Sequence, residues 1–291
     1  MIDETKVRAE SVLLKGLDDL EVGDYPAAIG SFWQAIAEVP EYREAWEHLA
    51  GALQRSSDDQ GLDQAVLKAA ELEIRSKEIW YALANALDGT KAQAAFWRAL
   101  QIDPDYEQAL TGLAWSLRTS GKKEEAIYVY EHLLDLFTRR QDPLSLNSLG
   151  DTLRRLVGAL DLAEEAVGRA LKLDPEYFDA WKNLSYVMCS RREPARAQQI
   201  LRRFIQTYPA HRRRADAWVC LGTVLRSTGD LKGAEEAVRR AVEIDAECQL
   251  AWSKLSDILF ELGHEQEAQV ALRRADDLDY NQKYDETPGQ T

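Results

Sequence analysis

Apolar residues recur along the chain in a pattern that predicts pairs of short amphipathic helices. After Trp218, Leu221 and Leu225 follow at three and seven positions, so the three side chains share one face of a helix. The pair Gly229-Asp230 comes next, and a glycine at such a place ends a helix in a left-handed cap. A second apolar stripe, built largely on alanine, then begins. The pattern predicts two antiparallel helices joined by a tight turn.

This unit repeats along the chain at a mean spacing of about 34 residues. Small residues four positions after each leading residue, and sixteen positions after most of them, let the two helices approach closely, and large ones fill the gap to the next unit. Asp-Pro pairs at 103–104 and 174–175 stop two of the second helices, because proline cannot continue a helix. The leading residues are Val12, Trp46, Trp80, Leu110, Leu146, Trp181, Trp218 and Trp252.

The repeat resembles that of the tetratricopeptide (TPR) family over residues 9–282. The resemblance implies an all-α fold, a right-handed α-solenoid of about eight helix-turn-helix repeats in which each unit depends on its neighbours. The repeats would start near residues 9, 43, 77, 107, 143, 178, 215 and 249, between an N-terminal extension at 1–8 and a polar tail at 283–291. It also implies a scaffold that binds a partner peptide in a concave groove lined by the first helices.

Charge and composition exclude several other classes of function. The chain carries 36 Lys and Arg against 50 Asp and Glu, and a net charge of −14 disfavours nucleic acid as a partner. Its first residues are charged rather than apolar, and no window approaches the length of apolar sequence that spans a membrane. Cys189, Cys220 and Cys248 lack disulfide or zinc spacing. We therefore expect a cytoplasmic protein without a membrane contact.

No catalytic constellation stands out in the sequence. The four histidines lack metal-ligand spacing, and neither a glycine-rich phosphate loop nor a nucleophile elbow occurs. Glutamate pairs recur at one repeat position, at 124–125, 164–165 and 235–236, which is typical of a solvated helix face. We expect no enzyme activity, no catalytic residue, no metal and no cofactor.

The TPR resemblance places selected first-helix residues on the groove. Arg118, Arg154 and Arg226 share one repeat position, and parallel guanidinium groups suit carboxylates, which predicts an acidic or C-terminal segment of another protein as the ligand. The alternative is that these arginines only complement the helix dipole near a helix C-terminus. The family's full carboxylate-clamp set is absent. The candidate groove contacts are Trp115, Arg118, Asn147, Arg154, Lys182, Tyr186 and Arg226.

One stretch, 191–214, reverses the overall charge. It holds eight arginines against Glu193, a net charge of +7, so that the rest of the chain carries −21. These arginines either form ion pairs with nearby acidic helices or bind an acidic partner, RNA or another polyanion, which is the alternative function. Self-association through an end of the array is a further expectation. The basic residues are Arg191, Arg192, Arg196, Arg202, Arg203, Arg212, Arg213 and Arg214.

Overall fold

The computed structural model describes residues 4–155 and 159–285, and these ranges hold sixteen α-helices and no strand. The all-α class predicted from the repeat is confirmed. In chain order the helices are α1 (Glu4–Glu21), α2 (Tyr25–Glu38), α3 (Arg43–Arg55), α4 (Asp59–Glu71), α5 (Lys77–Ala86), α6 (Gly89–Ile102), α7 (Glu107–Thr119), α8 (Lys123–Arg139), α9 (Pro143–Arg154), α10 (Leu160–Leu173), α11 (Phe178–Ser190), α12 (Pro194–Thr207), α13 (Arg214–Ser227), α14 (Leu231–Ile244), α15 (Gln249–Glu261) and α16 (Glu265–Asp285).

The ends of this array are helical further outward than the sequence pattern suggested. α1 begins at Glu4, inside the stretch 1–8 that was set apart as an extension. α16 continues to Asp285, inside the tail 283–291. The rest of that tail lies outside the described residues.

The turn between paired helices follows the glycine signal in the sequence. Gly229 adopts φ +83°, a left-handed conformation that favours glycine. The Asp230 side chain then accepts a hydrogen bond from the Gly233 amide at 3.0 Å and caps α14. One helix is thereby ended and the next begun within three residues.

The chain divides into two compact units, 1–136 and 137–291. In the first unit, α2 packs on α1 and α3, and α6 on α5 and α7. In the second, α10 packs on α9 and α11, while α9, α11, α13 and α15 contact one another in sequence. Each of these second helices thus packs between its own first helix and the next one.

Small residues allow the close helix contacts that the repeat predicts. A Cβ atom on Gly150 would lie 2.3 Å from a Val167 methyl carbon, and one on Gly222 would lie 2.5 Å from the Val238 counterpart. Both glycines stand four positions after their leading residues, Leu146 and Trp218. Close helix packing therefore requires a small residue at this repeat position.

Four of the five leading tryptophans hydrogen-bond the turns between repeats. Each donates its indole N–H to a backbone carbonyl six residues earlier: Trp46 to Pro40 at 2.7 Å, Trp80 to Ile74 at 2.9 Å, Trp181 to Pro175 at 2.8 Å and Trp252 to Ala246 at 2.8 Å. Trp218 departs from this rule, and its buried Nε1 finds no acceptor among the described residues. The reason is that α12 ends eleven positions before Trp218, whereas the corresponding helix ends eight or nine positions before each of the other four tryptophans. The longer turn displaces the matching carbonyl.

Candidate partner-binding site

An open groove of about 950 Å³ runs along the first helices α3, α5 and α7 of the first unit. Trp115 of α7 stands on it with 60% of its surface exposed, which is unusual for a tryptophan. We call this the Trp115 groove. Its principal lining residues are Gln54, Tyr81, Asn85, Asp88, Phe96, Glu107, Gln108, Thr111, Trp115 and Thr119.

Neighbouring aromatic rings hold one wall of the Trp115 groove in place. Tyr81 lies 6.1 Å from Phe96 and 5.6 Å from Tyr106, measured between ring centroids. Lys77 places its ammonium group 4.8 Å above the Tyr106 ring and pairs with Asp103 at 2.6 Å. These contacts fix Tyr81 before any partner arrives.

The charge around the Trp115 groove is negative. Asp88 and Glu107 line it, and no lysine or arginine does so among the residues the structure describes. Beside it, burial raises the pKa of Tyr106, and Glu78 adds to the increase. This groove therefore opposes the acidic ligand that the arginine pattern predicted.

Gln54 and Phe96 were not among the predicted contacts. Gln54 holds the repeat position of Arg118 and donates to the backbone carbonyl of Asn85 at 3.2 Å. Its place eight positions after a leading residue is a sequence signal that applies to polar side chains as well as to cations. Phe96 lies on a second helix at a position that the pattern assigns to the core, so nothing in the sequence marks it as a groove residue.

Arg118 lies at the end of α7 and does not line the Trp115 groove. Its side chain is exposed and hydrogen-bonds the hydroxyl of Tyr130 on α8. Tyr130 itself is buried, and desolvation raises its pKa although Arg118 opposes the increase. Arg118 thus stands about one turn after Trp115 on α7 but outside the Trp115 groove.

In the second unit, predicted contacts meet the chain's own carboxylates. Arg154 pairs with Asp151 at 2.8 Å, and its guanidinium carbon lies 5.8 Å from the Tyr186 ring centroid. Lys182 pairs with Asp179 at 2.6 Å. Arg154, Lys182 and Tyr186 therefore lie on neighbouring first helices, but both cations already have anionic partners.

Asn147 was predicted to contact a ligand in the groove, but the structure buries its side chain. Its carbonyl oxygen accepts a hydrogen bond from Asn183 at 2.9 Å, and its amide group donates to the Tyr177 hydroxyl at 3.3 Å. Buried amides need such partners, since leaving one unpaired costs free energy. The sequence showed the residue type but not the neighbours that enclose it.

Tyr186 is a half-buried structural contact of the second unit. Desolvation raises its pKa to about 12, and a hydrogen bond with the Cys220 thiol on α13 contributes to the increase. Burial likewise raises the pKa of Cys220 to about 11, although the hydrogen bond from Tyr186 and the nearby Lys182 oppose this increase. Both groups therefore stay protonated near neutral pH.

Arg226 is held by the next first helix. It contacts Glu261 at 2.5 Å and Asp257 at 3.2 Å, both on α15. The three arginines that share one repeat position thus meet different partners: a tyrosine for Arg118, its own helix for Arg154 and the following repeat for Arg226. Their part in ligand binding stays a prediction.

The basic stretch 191–214 is partly neutralised by the chain itself. Arg191 pairs with Asp161 and Glu164, Arg196 with Glu193 and Glu164, and Arg213 with Asp216 and Asp179. The remaining five form no ion pair with any described residue: Arg192, Arg202, Arg203, Arg212 and Arg214. The ion-pair alternative thus holds for three of the eight arginines, and binding of an acidic partner or polyanion by the others stays a prediction.

Metal-binding clusters and membrane-spanning helices are absent from the ranges 4–155 and 159–285. These ranges contain no group of three or more His, Cys, Asp or Glu side chains placed to hold a metal ion. None of their helices is long and apolar enough to cross a membrane.

Comparison with known proteins gives one curated relative and several solved structures. Human protein O-mannosyl-transferase TMTC3 is 25% identical over 225 residues, which are 73% of this chain and 24% of that protein, so the chain spans about a quarter of its length. MamA from Desulfovibrio magneticus RS-1 is 21% identical, with 60% of this chain and 94% of that chain covered and a TM-score of 0.41. Cut9-Hcn1 of the APC/C is 16% identical, with coverages of 88% and 50% and a TM-score of 0.40.

The family itself is identified by sequence models of the repeat. One model described as tetratricopeptide repeat matches residues 13–72 and 190–247. A second model with the same description matches residues 250–282. These matches fall in both units and confirm the resemblance found in the repeat pattern: the chain belongs to the tetratricopeptide repeat family.

Proposed function

We propose that this protein is a non-enzymatic adaptor that binds a segment of a partner protein in the Trp115 groove. Membership of the TPR family supports a role in protein–protein interaction generally. The observation that carries the more specific proposal is the 60% exposure of Trp115 beside an open groove of about 950 Å³.

An exposed tryptophan on a groove wall is suited to anchor a partner. Tryptophan offers a large contact area with few rotatable bonds, and it is enriched among residues that dominate binding energy. Tyr81 provides a second, fixed aromatic surface in the same groove. The side-chain amides of Gln54, Asn85 and Gln108 add hydrogen-bonding groups for the backbone of an extended segment.

The negative charge of the Trp115 groove restricts which partner segments can bind there. Asp88 repels an acidic segment, and a lysine or arginine side chain of the partner can instead stack on Trp115. The ligand proposed here is therefore a neutral or basic segment with at least one large apolar side chain.

Removal of the anchor tests the proposal. Random peptides about 12 residues long are selected against the full chain, and labelled winners of neutral or basic charge are titrated by fluorescence anisotropy. We expect Trp115→Ala to weaken binding by at least about tenfold, since loss of a central aromatic contact costs on the order of 1.4 kcal/mol or more. Chemical denaturation checks that the variant keeps its stability.

Trp97 supplies a matched control in the same unit. It lies on α6, is 39% exposed and does not line the Trp115 groove. We expect Trp97→Ala to change the affinity by less than about twofold. Equal affinities for the wild-type and Trp115→Ala chains, or an equal loss in both tryptophan variants, would overturn the proposal.

A further inference from the structure

A second cleft, independent of the Trp115 groove, opens between the second helices α10 and α12. It holds about 560 Å³ and lies within the second unit, with Trp181 of α11 among its lining residues. We call it the Trp181 cleft. The lining residues used below are Glu164, Gly168, Lys172, Trp181, Arg196 and Arg203.

The equivalent cleft two repeats later shows what keeps the Trp181 cleft open. Residues 163–167 and 234–238 have the same sequence, Ala-Glu-Glu-Ala-Val, and the next residue is Gly168 in α10 but Arg239 in α14. Arg239 extends to Glu235 at 2.8 Å and to Glu267 of α16 at 2.7 Å. The cleft that it lines, with Trp252, holds about 250 Å³.

Packing does not require the glycine at position 168. A Cβ atom added there would meet no heavy atom within 4 Å, apart from its own helix and chain neighbours. A glycine inside a helix lowers stability by about 0.5–1 kcal/mol relative to alanine. Gly168 therefore does not stabilise the fold. Its missing side chain leaves open the space that Arg239 occupies in the equivalent cleft.

The Trp181 cleft also carries positive charge on both walls. Lys172 of α10 stands where α14 has Glu243, and Arg203 of α12 faces Trp181 with its guanidinium carbon 5.8 Å from the ring centroid. Neither cation forms an ion pair within the described ranges. Glu164, the carboxylate among the lining residues, is already paired with Arg191 and Arg196.

We propose that the Trp181 cleft binds an acidic segment of a partner protein, with an aromatic or leucine side chain seated against Trp181. Two unpaired cations flank an aromatic and aliphatic cleft, which complements carboxylates placed around one apolar residue. Nucleic acid fits less well, because Glu164 and Glu193 lie within the same basic surface and neutralise Arg196. A phosphate backbone needs a continuous basic track.

The test uses the full chain carrying Trp115→Ala, so that the Trp115 groove does not dominate the selection. Random peptides about 12 residues long are selected on this variant, and the winners are titrated by anisotropy. We expect enrichment of Asp and Glu around one aromatic residue or leucine. Gly168→Leu, which adds a bulky side chain at the position that Arg239 holds in the equivalent cleft, should weaken binding by about tenfold or more. Lys172→Glu should weaken it by about fivefold.

Two matched controls separate cleft effects from general ones. Gly168→Ala leaves the cleft open and should keep the affinity within about twofold, as should Lys232→Glu on α14, an exposed lysine outside the cleft. A gain in thermal stability for Gly168→Ala and Gly168→Leu shows that both variants fold.

Three outcomes would overturn this proposal. The first is a selection that yields no binder or binders without acidic residues. The second is affinity that survives Gly168→Leu. The third is an oligouridylate RNA that binds the same chain more tightly than any selected peptide and is lost with Lys172→Glu, which would assign the surface to nucleic acid.

Discussion

The first helices of the two units present different chemistry, although one repeat pattern builds both. Trp115 and Tyr186 each stand five positions after a leading residue. Trp115 is exposed on an open groove, whereas Tyr186 is half-buried and hydrogen-bonded to the Cys220 thiol of the following first helix. One repeat position is thus open to a ligand in the first unit and committed to internal contacts in the second.

This difference shows what decides whether a repeat position is available for binding. In the second unit, Arg154, Lys182 and Arg226 each have a carboxylate within ion-pair distance. A charged residue at a groove position therefore binds a partner only when the repeat does not supply its own counter-charge. Substitutions at these first-helix positions of the second unit should change stability, and those in the Trp115 groove should change binding.

The largest effect expected in the second unit is loss of stability at alkaline pH. Because the pKa of Cys220 is about 11 when folded and near 9 ordinarily, the unfolded chain loses this proton first as pH rises. The stabilisation is fully present below pH 9 and disappears towards pH 11, and it amounts to roughly 2–3 kcal/mol in the free energy of unfolding. Urea denaturation across this range measures it.

The Cys220→Ala variant isolates that contribution from other titrating groups. We expect its stability to fall less steeply between pH 9 and 11 than that of the wild type, whatever its stability at neutral pH. Parallel pH profiles for the two chains would mean that Cys220 ionises alike in the folded and unfolded states.

Asn147→Ala should lower the free energy of unfolding by about 2 kcal/mol. The variant leaves the Asn183 amide and the Tyr177 hydroxyl without a buried partner. Asn85, an exposed asparagine on α5, is the matched control, and its replacement by alanine should cost less than about 0.5 kcal/mol. Similar losses of stability in the two variants would contradict the claim that this polar residue of the second unit is structural and that of the first unit is not.

Arg226→Ala is the smallest of these effects, at about 0.5–1 kcal/mol, since its ion pairs with Asp257 and Glu261 are partly exposed. A double-mutant cycle with Glu261→Ala should give a coupling energy that shrinks at high salt. Arg118→Ala, which removes a contact to an uncharged tyrosine, should show less salt dependence. Zero coupling between Arg226 and Glu261 would leave Arg226 available for a ligand.

The sequence predicted the local architecture well because its signals are short in range. The glycine turn at Gly229, the small residues Gly150 and Gly222, and the structural role of the leading tryptophans all follow from spacing within one repeat. Trp218 shows the limit of that rule, since a longer turn removes the acceptor that the other four tryptophans use.

The candidate site was harder to predict because it depends on partners some 30 residues away. Asn183 encloses Asn147 from the next repeat, and Glu261 lies 35 residues after Arg226. No pattern within one repeat states which of these pairs form. Gly168 and Lys172 did carry a readable signal, since aligning α10 with α14 shows both departures directly.

Hydrogen–deuterium exchange with a bound peptide tests the central claim, that the first-helix face of the first unit is the binding face. The probe is a peptide selected on the Gly168→Leu chain, in which the Trp181 cleft is narrowed. Binding should slow exchange in α5 and α7, the helices that carry Tyr81 and Trp115, and leave α9, α11 and α13 unchanged. Protection confined to α9, α11 and α13 would contradict it.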